Sequence, residues 1–351
     1  KDQGVWNDLG SISTEKPDSE PTRPKTDGDA ERTLRRLFGK NINDLPTLPH
    51  VVQQVLEKTR DSEANLSDIV NLIATDQSLV TTYLKLVNSA FYGFNRRIAT
   101  LKQAITLLGF RSVRNVVVNA GVVGVFRRRM FNSRNRNRLW NHSVACAVAC
   151  RALAERTGYK AKEEAFTAGL LHDIGKVVID QYAPKDSARI VAMVEDGFGQ
   201  REAEEQVLGV DHTKIGSWIA ERWQLPKNLC WVIEYHHDPT SDKIPANKEL
   251  VQLVASANVI CRFRSTDTPE ELEEGLKEFV ETDHNWMKFN VEQLRELLEE
   301  VWRIKSEAMK TFGPGMAGET VGEIDQAVEE ETRVKKGDRA EVAYRDAQRG
   351  G

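Results

Sequence analysis

Apolar side chains in this chain recur every three to four residues and almost nowhere every second residue, which predicts helices through the middle of the sequence. Leu34, Leu37 and Phe38 space a first short helix. After Pro49, which a first turn tolerates, Val51, Val52, Val55 and Leu56 follow at helical period. Asn65 or Ser67 is expected to cap LSDIVNLIATD, and Asp76 or Ser78 to cap SLVTTYLKLVNSAFYG. Thr100 precedes LKQAITLLG, with Gly109 as the stop. The apolar run VVVNAGVVGVF at 116–126 falls short of the roughly 20 residues that span a bilayer, so it reads as a buried helix. Alternating segments joined by tight-turn dipeptides are nearly absent, and the expected fold class is all-α.

The pattern also divides the chain. Residues 1–29 are rich in Asp, Glu, Pro, Ser, Thr and Lys and offer too little apolar surface to offset chain entropy, so a disordered lead is expected. A helical lobe over 41–126 is followed by an Arg- and Asn-rich loop at 127–138 and a second helical lobe over 139–262. A helical extension is expected over 265–310, and a flexible tail or linker over 313–351. A repeat of solenoid length is absent. The chain opens on Lys1 rather than methionine, as expected of a fragment of a longer protein.

Composition adds bounds. A hydrophobic fraction of 40% is enough for a core, and a net charge of -4 gives no general attraction to nucleic acid or anionic lipid. Cys146, Cys150, Cys230 and Cys261 form no C-x-x-C pair; Cys146 and Cys150, one turn apart in an Ala/Val run, read as small buried hydrophobes. A reducing cytoplasm is the expected compartment.

Five histidines change the picture. His142 lies in LWNHSVACAVACRALAE; His172 and Asp173 are adjacent in AGLLHDIGKVVID, an apolar helix expected to break at Gly175. His212 opens DHTKIGSWIAERWQLP, and His236 and His237 close a helix that begins near Pro226. Imidazole nitrogens with a carboxylate oxygen suit borderline divalent ions such as Fe, Mn, Zn or Ni, one or two of them if Asp173 bridges. Such ions activate water and polarise phosphoryl oxygens. Lys176, four residues after His172, would face the same pocket and hold a phosphate oxygen. A polar core network without metal fits the same residues.

The series His142, His172-Asp173, His212, His236-His237 resembles that of the HD superfamily of metal-dependent phosphohydrolases, with HDIGK its most characteristic stretch. The preceding lobe, LPTLPHVVQQVLEKTRDSEANLSDIVNLIATDQSLVTTYLKLVNSAFYG and then IATLKQAITLLGFRSVRNVVV, resembles the HDOD domain, the HD-related output domain of bacterial signalling proteins. The resemblance covers about residues 41–240. It implies a two-lobed helical bundle, metal ligation by His142, His172, Asp173, His212, His236 and His237, and catalytic roles for Asp173 and Lys176 if the site is active. It also implies signalling partners or fused sensor and effector domains, or a nucleotide or cyclic dinucleotide as ligand. No membrane partner is expected, since the longest apolar run is too short to span, and no nucleic-acid partner, since no aromatic ladder accompanies the arginine loop.

Departures weigh against catalysis. Where active HD enzymes supply a final Asp, SANVI places Asn258; HHDPTSDKIP lacks the Gly-Tyr-Pro of the cyclic-di-GMP phosphodiesterase branch; and Arg138 stands where that branch sometimes has Glu. The expected function is a signal-transduction output module of HDOD type acting through protein interaction, with a metal-dependent phosphohydrolase as the alternative. The arginine loop reads as a solvated connection rather than a phosphate clamp, and Trp218, Trp223 and Trp231 as core.

Overall fold

The computed structural model describes residues 48–60, 65–89, 92–94, 96–127, 134–263 and 267–312, and among them every regular element is helical. The first lobe holds α1 (His50–Lys58), α2 (Leu66–Ala74), α3 (Gln77–Val87), α4 (Leu101–Leu108) and α5 (Phe110–Arg127). The helix starts follow from side-chain caps. Asn65 accepts from the Asp68 N–H, Asp76 from that of Leu79 and Thr100 from that of Gln103, each satisfying an otherwise unpaired first-turn donor. Gly109, at φ +79, ends α4 in a backbone conformation that a side chain would oppose.

The second lobe holds α6 (Arg134–Thr157), α7 (Lys162–Leu171), α8 (Ile174–Tyr182), α9 (Pro184–Glu195), α10 (Gln200–Leu208), α11 (His212–Arg222), α12 (Lys227–Tyr235) and α13 (Lys248–Ile260). α14 (Pro269–Val280) and the long α15 (Val291–Phe312) follow, and α15 runs back along α6. The lobes meet where α5 packs on α7 and α15 reaches α3. Leu86, Val123, Trp140, Phe166, Leu170 and Ala308 line a small apolar cavity at that seam.

Close packing of α6 on α7 positions the site, and small side chains make it possible. A Cβ on Gly169 would lie 2.7 Å from the Cys146 carbonyl oxygen and from Cys150 Sγ, so only glycine lets α7 approach this near. Both cysteines are buried among Ala147, Ala149 and Leu153, as the Ala/Val run implies.

Several local expectations change. The helix carrying His172 breaks at the His172-Asp173 step, not at Gly175; Gly175 lies inside α8, where a Cβ would overlap the His212 carbonyl oxygen. The reason for that glycine is contact between helices, not helix termination. Residues 134–138 of the arginine-rich segment form the start of α6. Among the three tryptophans Trp223 is buried and Trp218, half-buried with the Arg222 guanidinium 5.7 Å from its ring, packs against the core as expected, whereas Trp231 is half-buried outside that cluster. The expected lead, the Leu34–Phe38 helix, residues 128–133 and the 313–351 tail lie outside the described residues.

Candidate metal centre

Four helix ends and one helix face bring the expected residues together. His172 terminates α7 and Asp173 begins α8, so the dipeptide sits at a corner with both side chains turned inward, 0% and 1% exposed. His212 is the first residue of α11, and His236 caps the C-terminus of α12 with His237 next to it. His142 comes from the side of α6, and its side chain is 24% exposed. Lys176, one turn into α8, donates to Asp173 Oδ2 at 2.9 Å.

Asp173 is the hub. Its Oδ1 lies 3.3 Å from His212 Nε2 and 3.6 Å from His236 Nε2. Its Oδ2 lies 3.4 Å from His172 Nε2 and 3.8 Å from His142 Nε2. His237 Nε2 approaches His212 Nε2 at 3.2 Å. All six sequence-assigned residues, and Lys176, therefore converge on one buried point.

Hydrogen bonding on the far side of each ring fixes what it offers. His172 Nδ1 donates to the Gly169 carbonyl at 2.7 Å, and His236 Nδ1 to that of Ile233 at 3.0 Å. His212 Nδ1 donates to Glu204 Oε2 at 2.6 Å. In a neutral imidazole one nitrogen then carries hydrogen and the other a lone pair. Three Nε2 lone pairs consequently face the acceptor oxygens of Asp173. His172 Nε2, His236 Nε2 and Asp173 Oδ1 are buried with no hydrogen-bond partner.

Such an arrangement is costly unless a cation lies between the acceptors. Protons do not meet the need. Burial, with the neighbouring His172 and His212 adding to it, lowers His236 to about 4. Burial and His172 lower His142 to about 3. Burial alone would raise Asp173, but His172 and Lys176 hold it well below the usual carboxylate range. Burial opposes the charge on Lys176 as well, yet Asp173 and then Glu204 keep it protonated. The site is thus an ionised carboxylate with an ammonium group beside it and the His142 and His236 rings held neutral by burial, a donor set that fits a divalent ion. Asp173, His212, His236 and His237 form one group whose donor atoms lie within 4.8 Å of one another; His142, Cys146 and His172 form a second.

Three participants escape the motif reading. Glu204, on α10 and 1% exposed, accepts from both the backbone N–H and Nδ1 of His212, while Gln200 Nε2 donates to its other oxygen at 2.7 Å. Asp211 caps α11 through the Thr213 and Lys214 N–H groups and is held by Arg201 Nε at 2.8 Å. The only available signal was the acidic AEEQ run eight residues before His212, which reads as an ordinary exposed helix face. The third is Cys146, whose Sγ lies 3.4 Å from His142 Nε2. Asn258 accepts from His142 Nε2 at 3.0 Å, so the position expected to carry an amide does face the site.

Among the described residues no helix is long and apolar enough to cross a membrane. A Geobacter sulfurreducens HDOD domain protein with unknown function has a similar solved structure, with TM-score 0.65, 26% identity and coverage of 80% of this chain and 97% of that one. An uncharacterised protein of Treponema pallidum is 31% identical over 241 residues, 68% of this chain and 46% of its own length. Ribonuclease Y of Thermus thermophilus is 29% identical over 183 residues, 50% of this chain and 26% of that protein. The chain therefore spans less than half the length of either curated relative. The family model of the HDOD domain matches residues 45–239, more than half of the sequence, and the chain belongs to the HDOD domain family.

Proposed function

We propose that this chain is a signal-transduction output module of HDOD type whose second lobe is pinned by a divalent transition-metal ion, and that it acts through contacts with other proteins or fused domains. Asp173, His212, His236 and His237 would hold the ion. The observation that carries the reading is the unpartnered Asp173 Oδ1, 1% exposed, facing lone pairs from α11 and α12. Those helices start or end at the site, so its occupancy would fix their relative positions. Loaded and unloaded forms would then differ in the surfaces that α8, α11 and α12 present, which is what a relay needs. The near-complete burial of the ligands favours a binding role over access by a bulky substrate.

A second reading, phosphodiester hydrolysis, is favoured by Lys176. Its ammonium group is held charged beside Asp173, and its side chain is 18% exposed next to the partly exposed His142, so one side of the site is open. A bound ion supplies a polarised phosphoryl oxygen and an acidified water. Here Lys176 would steady a phosphate oxygen, while Asp173 and the imidazoles would keep the ion in place. The similarity to a protein named ribonuclease Y is compatible with this chemistry.

Metal analysis of protein purified without chelator tests both. Stoichiometric iron, manganese, zinc or nickel that is lost in Asp173→Ala is expected. Chelation should raise hydrogen exchange across α8, α11 and α12, with no turnover of bis(p-nitrophenyl) phosphate or cyclic di-GMP. Metal-free protein with unchanged exchange on metal addition overturns the proposal. Turnover abolished by Lys176→Met and by Asp173→Ala would replace it with the second reading.

A further inference from the structure

Cys146 and Cys261 lie far apart in sequence, on two different helices, yet their thiols meet. Cys146 lies on α6, one turn before Cys150, and Cys261 caps the C-terminus of α13, which packs along α6. The Ala257 carbonyl oxygen accepts the Cys261 N–H at 2.9 Å, and Cys146 Sγ approaches the same oxygen at 3.9 Å. The Cys146 and Cys261 thiols are hydrogen-bonded to each other. We propose that Cys146 and Cys261 form an oxidative modification site, a thiol pair that a hydroperoxide converts to a disulfide joining α6 to α13 and that a dithiol reopens.

Position on the helices puts the bond within reach. Ala257 and Cys261 are four residues apart, so both lie on the face of α13 that is turned to α6. Sulfurs already in hydrogen-bond contact leave side-chain rotation, not helix movement, to bring one to the other. Exposure then divides the roles. Cys261 is half-buried, whereas Cys146, Cys150 and Cys230 are buried. Peroxide therefore meets Cys261 first, and Cys146 waits behind it. Cys230, on α12, approaches the Leu225 carbonyl oxygen at 3.8 Å and takes no part.

The Cys261 sulfur attacks a peroxide oxygen and the O–O bond breaks. Cys261 becomes a sulfenic acid, and the leaving oxygen takes the thiol proton as water or an alcohol. The Cys146 sulfur then attacks the oxidised sulfur: the S–S bond forms, the S–O bond breaks, and the hydroxyl leaves as water with the Cys146 proton. Two thiols are oxidised and one hydroperoxide is reduced. The bond has a structural consequence. Cys146 Sγ lies 3.4 Å from His142 Nε2, and Asn258, three residues before Cys261, accepts from the same nitrogen at 3.0 Å. Oxidation would fasten α13 to α6 beside His142, the partly exposed edge of the histidine cluster.

Peptide mapping by mass spectrometry tests the pairing. The whole chain is treated with hydrogen peroxide in chelator, which keeps peroxide from reacting with a bound ion, and the remaining thiols are alkylated before digestion. A linked Cys146–Cys261 peptide, lighter than its parts by the two thiol hydrogens, is expected, and dithiothreitol should abolish it. Cys261→Ser should prevent the link, while Cys150→Ser and Cys230→Ser should keep it. Circular dichroism verifies folding of each variant, and mapping of the unsubstituted chain decides the matter if one of them does not fold. Sulfinic acid at Cys261 with Cys146 still alkylated overturns the proposal, as does a link from Cys261 to Cys150 or to Cys261 of a second copy. Peroxide that leaves Cys261 fully open to alkylation overturns it as well.

Discussion

Glu204 Oε2 accepts two hydrogen bonds from His212, at 2.7 Å from its backbone N–H and 2.6 Å from Nδ1. One carboxylate oxygen thereby satisfies an unpaired donor at the start of α11 and sets the tautomer that turns the Nε2 lone pair toward Asp173. The Arg201–Asp211 ion pair clamps α10 to the same corner, so the orientation of His212 is built into the α10–α11 connection before any ion arrives.

Glu204→Gln should therefore weaken metal binding while the fold persists. Loss of the outer carboxylate from a ligating histidine costs about 10–100-fold in affinity, measurable by competition with a chromogenic chelator. Glu204→Ala should also lower stability by about 1–3 kcal/mol, because both His212 donors would stay buried without a partner. Unchanged affinity in the glutamine variant would mean that His212 binds no ion.

Gly175→Ala tests helix approach at the site. The added methyl overlaps the His212 carbonyl oxygen and presses on Gly216, where α8 crosses α11. Overpacking of this kind costs about 1–3 kcal/mol. It would also push Asp173 and His212 apart, so bound metal should fall together with the melting temperature. A variant that melts lower with full metal content would show that the crossing and the site are uncoupled.

Most of the architecture was readable from the chain because it depends on local rules. Helical period, the Asn65, Asp76 and Thr100 caps and the Gly109 stop are all written within a few residues. The histidine series was legible as well, since paired polar residues at apolar helix ends have few other uses. What stayed hidden depends on helix-to-helix distance. Gly175 looked like a helix breaker because its reason, the His212 carbonyl, is far along the chain. Glu204 looked like surface, and Cys146 like packing, because neither shows its partner within its own segment.

Acid should destabilise the metal-free protein from near-neutral pH. His142 and His236 are held at about 3 and about 4, against an unperturbed 6.5, chiefly by burial. A histidine lowered in the folded state binds its proton more readily when unfolded, so stability is full above pH ~6.5 and falls as the pH drops toward those values. Urea titrations of chelated protein between pH 7.5 and 5 should show this loss, and His236→Asn should reduce its slope. A flat profile would mean that the rings are not kept neutral by burial.

Asn258→Asp gives a change of sign. Asn258 is 3% exposed and its Oδ1 accepts from His142 Nε2 at 3.0 Å. A carboxylate at that position is desolvated with a neutral imidazole as its partner, so chelated protein should lose stability by about 1–3 kcal/mol. With manganese or zinc present the same charge becomes a ligand or a close counter-ion, and binding to the folded state alone stabilises in proportion to the logarithm of ion concentration. Melting curves with and without metal should therefore cross between wild type and variant: lower for the variant in chelator, higher in excess ion. A variant that melts lower under both conditions would show that no cation comes within reach of position 258.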